Sequence, residues 1–107
     1  MTFVSPSVVA LVSDLMDRSK VDTAIPGVEF GRTPEACAGA AVVVIDLGKF
    51  ADHVAAVRRL APDARVVAFG RHDNPQALAQ AKVDGADDAL PRSRFFQDPA
   101  AAVRGER

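Results

Sequence analysis

Three continuous apolar runs constrain what this chain can fold into: SVVALVS (Ser7 to Ser13), AVVVID (Ala41 to Asp46) and RVVAFG (Arg65 to Gly70). Each is too short for a helix and rich in valine, and none alternates apolar with polar as a half-wetted strand does. Such runs are strands of a parallel sheet covered on both faces, where no position is left for a polar side chain.

Helical patterns lie between them. KFADHVAAVRRLAPDA sets Phe50, Val54, Val57 and Leu60 or Ala61 at helical spacing, turns Asp52, His53, Arg58 and Arg59 mostly outward, and ends at Pro62. DNPQALAQAKVDG carries both boundaries: Asp73 or Asn74 as N-cap, Pro75 at the first helical position and Gly85 at the C-terminal left-handed position. Helices are also predicted over about Asp14 to Ala24, stopped by Pro26-Gly27, and over the short TPEACA, where Thr33 can cap and Pro34 can open. GVEFG and DDALP supply weaker strands. SRFFQDPAAAVRG is a last helix that Pro99 shortens or breaks in two, and the terminal RGER is expected to fray. Five alternations of strand and helix with short connections predict an α/β fold: one doubly wound five-stranded parallel sheet with helices on both faces. A length of 107 residues makes this a single domain over residues 1–107.

Composition removes several classes of function. Apolar residues at 49% and charged residues at 25% belong to a globular chain, and a net charge of −1 supplies no general attraction for nucleic acid. The single cysteine, Cys37, cannot form an internal disulfide and reads as a small buried hydrophobe. No apolar run exceeds strand length, and the N-terminus shows no charged start followed by a leader-like apolar stretch. A cytoplasmic protein without a membrane partner is the expectation. Tyr and Trp are both absent, so any recognition surface must use Phe, Arg or aliphatic groups.

In an open α/β sheet the ligand site lies beyond the carboxyl ends of the strands, near the point where strand order reverses. The residues at those ends are Ser13 and Asp14, then Asp46, Leu47 and Gly48, then Gly70, Arg71 and His72, and finally Leu90 to Ser93. They are expected to surround one shallow pocket. Asp46 is either a reactive carboxylate or a cap for the following helix, and Ser13 or Asp14 would cap the first helix well. His72 has no second histidine or cysteine at ligand spacing, so it reads as a loop residue. Arg71, Arg92 and Arg94 could form a local anion site, or be solvated arginines offsetting Asp73, Asp87 and Asp88.

Five βα units of this size, with an acid after the first strand and an aspartate ending the third, resemble the receiver domain of bacterial response regulators, across roughly the whole chain. The resemblance implies the flavodoxin-like strand order 2-1-3-4-5. It also implies a phosphoacceptor at Asp46, Mg²⁺ held by Asp46 and by acids after the first strand, of which Asp14 resembles the second, and phosphoryl contacts from the ends of strands four and five. Three positions depart from the pattern: Ser13 replaces the other acid, Gly70 the Ser/Thr, and Arg92 the Lys. A planar guanidinium prefers forked pairing with a carboxylate, so Arg92 is expected to pair with Asp46 or Asp14 and fill the space a metal would need.

The leading expectation is therefore a stand-alone, non-enzymatic signalling or protein-interaction module with a degenerate phosphorylation pocket and no cofactor beyond weakly bound Mg²⁺. Alternatives are an atypical response regulator phosphorylated on Asp46, with a histidine kinase as partner, or a small-ligand binder on a flavodoxin-like sheet. No nucleophile, base and orienting acid form a recognisable set, and neither a phosphate loop nor zinc spacing occurs. Receiver-like chains associate through the face of the fourth helix, fifth strand and last helix, and Phe95-Phe96 beside Pro99 is expected to leave apolar surface there for a second copy. A homodimer follows as an expectation.

Overall fold

Each valine-rich run becomes a strand, and each is followed by a helix that returns the chain to the start of the next. The computed structural model describes residues 7–106; residues 1–6, where a leader would begin, and Arg107 of the terminal RGER lie outside them. The elements are β1 (Val8–Leu11), α1 (Leu15–Ala24), β2 (Glu29–Phe30), a 3-10 turn (Pro34–Cys37), β3 (Val42–Asp46), α2 (Leu47–Phe50), a second 3-10 turn (Ala51–His53), α3 (Val54–Leu60), β4 (Arg65–Gly70), α4 (Pro75–Asp84), β5 (Asp88–Pro91), α5 (Arg92–Gln97) and α6 (Pro99–Arg104). All strand pairs are parallel and the order is β2-β1-β3-β4-β5. No described helix is long and apolar enough to cross a membrane.

The period-two geometry of a strand splits the apolar runs between two cores. Val9, Leu11, Val43, Ile45, Val66 and Ala68 point to the side of α2, α3 and α4 with Cys37, Phe50, Val54 and Val57. Ala10, Val12, Val44, Val67 and Phe69 point to the side of α1, α5 and α6 with Val21, Phe95 and Val103. Both faces are dry, which explains why the sequence of these strands carries no alternation.

Several boundaries refine the sequence reading. Asn74, not Asp73, caps α4, its side chain accepting from the Ala77 N–H at 3.2 Å. Thr33 precedes the first 3-10 turn without a side-chain cap. The long helix after β3 is broken, because Phe50 leaves helical geometry at φ −122°, ψ 21° while its ring is buried in the core. Ala61 is buried where Leu60 is 39% exposed. Of the two outcomes that Pro99 allowed, the last helix is broken in two, with Asp98 capping the second piece through the Ala101 N–H. Gly105 closes α6 in the left-handed conformation (φ 77°).

Arg58 corrects the picture of a solvated helix face. It donates to the carbonyls of Gly85 (2.9 Å), Pro62 (3.0 Å) and Ala64 (2.8 Å) and to Asp87 (2.8 Å), joining the end of α3 to the turn before β5. A Cβ at Gly85, whose φ is +123°, would stand 2.8 Å from the Arg58 stem, so this glycine serves both the turn and the arginine. Arg65 makes the equivalent brace for α6, donating to the Ala102 and Val103 carbonyls and to Asp88 at 2.7 Å. Asp87 and Asp88 thus serve arginines at the amino edge of the sheet rather than the loop arginines at the other end.

Phe95 and Phe96 close on Phe69 as a group. Phe69 and Phe95 stack at 4.7 Å between centroids, and Phe96 meets each of them edge-on at 5.0 Å. Phe96 therefore does not stand as open apolar surface: it is half-buried, with Lys20 and Arg92 against its ring. Emptying this cluster should be costly. Phe95→Ala is expected to destabilise the chain by about 3–5 kcal/mol, read as a lowered midpoint in urea unfolding.

Candidate functional site

At the carboxyl edge of the sheet a cavity of about 500 Å³ is lined by Ser13, Asp14, Asp17, Asp46, Gly48, Lys49, Gly70, Arg71 and Arg92. The topology explains the gathering. β1 and β3 are neighbours whose exits lead to α1 and α2, and the reversal of strand order leaves a crevice between them. Seven of the residues named from strand ends come together here. His72 instead lines the adjoining cavity, and Arg94 lies away on the side of β5, α5 and α6.

Asp46 is the last residue of β3 and is buried, at 7% exposure. Its Oδ1 accepts the Gly48 N–H at 2.9 Å, so it caps α2 as well as facing the cavity. A Cβ on Gly48 would lie 3.2 Å from that oxygen, so the missing side chain is what lets the carboxylate sit so close to the backbone. Burial raises the Asp46 carboxyl above its ordinary pKa. The Gly48 N–H and the Arg92 charge oppose this, while Asp17 and Asp14 reinforce it.

Arg92 does not pair with Asp46 or Asp14. Its Nη2 donates to Asp17 Oδ1 at 2.8 Å, and Asp17 is almost fully buried. The physical reason is the position of Asp14. It caps α1 by accepting the Asp17 N–H at 2.9 Å, which places Asp17 in the first helical turn facing the sheet edge. Arg92, the first residue after β5, reaches back to that carboxylate and lies 5.4 Å from the Phe69 ring centroid and 5.2 Å from that of Phe96. Its hydrogen bond to Asp17 leads the upward shift of its own pKa, with the charges of Asp46 and Asp14 contributing less.

Gly70 is buried at the end of β4, and a Cβ there would touch Leu47 and Leu78 at 3.4 Å. Apolar side chains thus pack where a hydroxyl-bearing residue would project. Arg71 turns outward and forks onto Asp73 at 2.9 and 2.7 Å. The pair is exposed, and such pairs contribute little to stability.

Sequence reasoning missed Asp17 and Lys49. An acid in the first turn after the cap residue Asp14 suits the helix N-terminus and could have drawn attention to Asp17, but nothing local says that it meets residue 92. A hard divalent cation wants about six oxygens in octahedral array. Among the described residues no group of three or more His, Cys, Asp or Glu stands close enough to hold one. Asp14 and Asp17 are each committed to a partner, and the Arg92 charge stands among the acids. These side chains by themselves do not build a Mg²⁺ cage.

No family model and no curated protein matches the sequence. Solved structures do match its shape. A response regulator from Burkholderia pseudomallei, with a phosphorylated aspartate, calcium and citrate, superposes at a TM-score of 0.79 and 16% identity over 92% of this chain and 66% of that one. The fold is that of a receiver domain. The BeF3-activated DrrB receiver domain gives a TM-score of 0.77 at 18% identity, covering 94% of this chain and 97% of its own. A CheY-like protein, tadZ, from Pseudomonas aeruginosa gives 0.74 at 18%, covering 94% and 98%. The receiver fold accounts for the order 2-1-3-4-5 and the crevice at the β1/β3 edge, while the chemistry of the crevice belongs to this chain's own residues.

The raised pKa of Asp46 has a stability consequence. The folded chain holds this proton more tightly than the unfolded chain does. The associated stability is therefore present below the ordinary carboxylate pKa and is lost as pH rises through the folded value. Asp46→Asn keeps an oxygen for the Gly48 N–H and removes the charge. It is expected to raise the thermal midpoint at neutral pH, with the difference from wild type closing at about pH 3, where both carboxyl states are protonated.

Proposed function

We propose that this chain is a receiver-like signalling or protein-interaction module whose phosphorylation pocket is degenerate, read by a protein partner without a phosphoryl switch. The observation that carries this reading is the Arg92–Asp17 ion pair. It puts a fixed protein cation where the acid cluster would otherwise call for a metal, and apolar packing around Gly70 leaves the end of β4 without a hydroxyl to follow a phosphoryl oxygen. Such a pocket favours a constant surface over a two-state one, because a switch needs an element that both states contact differently.

A second reading keeps Asp46 as a slow phosphoacceptor, with Asp14 and waters holding weakly bound Mg²⁺ and a histidine kinase as donor. It is favoured by the placement of Asp46 in the cavity wall beside Lys49. The two readings separate in one preparation. With Mg²⁺ and acetyl phosphate, the degenerate pocket is expected to give no phosphoryl increment by intact mass and no Mg²⁺-dependent shift at the Asp14, Asp46 or Gly48 amides. A phosphoryl increment lost in Asp46→Asn would establish the second reading instead.

We also propose a homodimer through the face of α4, β5 and the last helix. A cavity of about 680 Å³ there carries Lys82 and Arg94 beside Asp98 and Glu106, both signs of charge, as a two-fold contact can pair across its axis. Val83 on α4 adds exposed apolar surface, at 79%. Light scattering at high micromolar concentration is expected to give a dimer mass, and a monomer mass there overturns the interface.

A further inference from the structure

Next to the acid-lined cavity lies a second one of opposite character. It has a volume of about 380 Å³ and is lined by Lys20 from α1, Arg71 and His72 after β4, and Arg92, Ser93 and Phe96 from α5. Arg71 and Arg92 stand in the walls of both cavities, so they divide a carboxylate-lined space from one whose wall contains no carboxylate. The acids that pair with them stand outside the basic wall: Asp17 with Arg92 in the acid cavity, Asp73 with Arg71 on the loop beyond.

Two of the cations lie against the cavity's own aromatic wall, and Arg71 is forked onto Asp73 through Nε and Nη2. The Lys20 Nζ lies 5.3 Å and the Arg92 Cζ 5.2 Å from the centroid of the Phe96 ring, and Phe96 is in turn packed edge-on against Phe69 and Phe95. A guanidinium carries five N–H donors in a planar fork, and the Asp17 contact uses one of those of Arg92. A planar carboxylate is satisfied by one fork. A tetrahedral dianion accepts from donors arriving from several directions, which is what three cations and a hydroxyl on three different elements supply.

We propose that this cavity is a binding site for a small phosphate monoester, with the phosphate held by Lys20, Arg71, Arg92 and the Ser93 hydroxyl and the organic part against the half-buried Phe96 ring. The volume is that of a small-metabolite site. The site needs neither covalent chemistry at Asp46 nor a metal, so it goes beyond the reading of the acid cavity.

The test is a titration of the ¹⁵N-labelled full chain, free of divalent cations and at ionic strength matched with sodium chloride, using inorganic phosphate, phenyl phosphate and benzoate as probes. Saturable shifts at the Lys20, Arg71, His72 and Ser93 amides are expected, tighter for phenyl phosphate than for phosphate and weakest for benzoate. Lys20→Gln and Arg71→Gln, both at exposed positions, should each weaken phenyl phosphate about tenfold, the loss of one charge-assisted hydrogen bond, whereas Asp46→Asn, which removes a negative charge acting on Arg92, should bind at least as tightly as wild type. Shifts that fail to saturate, benzoate binding as tightly as phenyl phosphate, or shifts centred on Asp46 and Gly48 would each overturn the assignment. Without divalent cations the titration does not report on metal-dependent phosphorylation, so failure here and failure of the proposed function remain separate outcomes.

Discussion

A strand covered on both faces can carry almost no polar group along its length, and in this chain β1, β3 and β4 are covered on both faces. The polar chemistry of the sheet is thereby driven to its ends. At the carboxyl edge, Asp14, Asp17 and Asp46 meet within one crevice, two of them buried beside apolar cores. Carboxylates taken out of water, as Asp17 and Asp46 are, need a cation, a metal or a proton to persist. Here the nearest cation is Arg92, and the arrangement of the crevice follows from where that guanidinium is anchored.

Arginine plays a similar part elsewhere in the molecule. Arg58 uses its forked donors to satisfy carbonyls in the turn after α3 and at the end of α4, Arg65 those in the last turn of α6, while pairing with Asp87 and Asp88. Arg combines five N–H donors with an aliphatic stem that packs. Arg92 differs in lying against aromatic rings as well as an acid, which makes it a partition between two cavities of opposite charge.

Much of the architecture was legible from local pattern. Unalternating valine runs give buried parallel strands, Asn74-Pro75 and Gly85 bracket α4, and Pro99 divides the last helix, because each of these effects acts within a few residues of its cause. Asp46 at the end of β3, and the convergence of Ser13, Asp14, Gly70 and Arg92 on one edge, followed from strand ends alone. The partner of Arg92 did not. Choosing Asp17 over Asp46 or Asp14 depends on the cap at Asp14 orienting the first turn of α1, and on residue 92 reaching across the sheet from 75 positions away.

The same division separates the phenylalanines. That only one of Phe95 and Phe96 could easily enter the core was implied by their adjacency on a helix; that it would be Phe95, with Lys20 and Arg92 against the ring of Phe96, was not. The sequence by itself determined the sheet, its order through the family resemblance, and the edge where polar residues gather, since hydrophobic periodicity and backbone chirality act on neighbouring residues. Tertiary structure alone decided which acid holds the arginine, which arginines brace helix ends, and that the edge carries two cavities rather than one. Those outcomes depend on distances between side chains remote in sequence, and no local pattern encodes them.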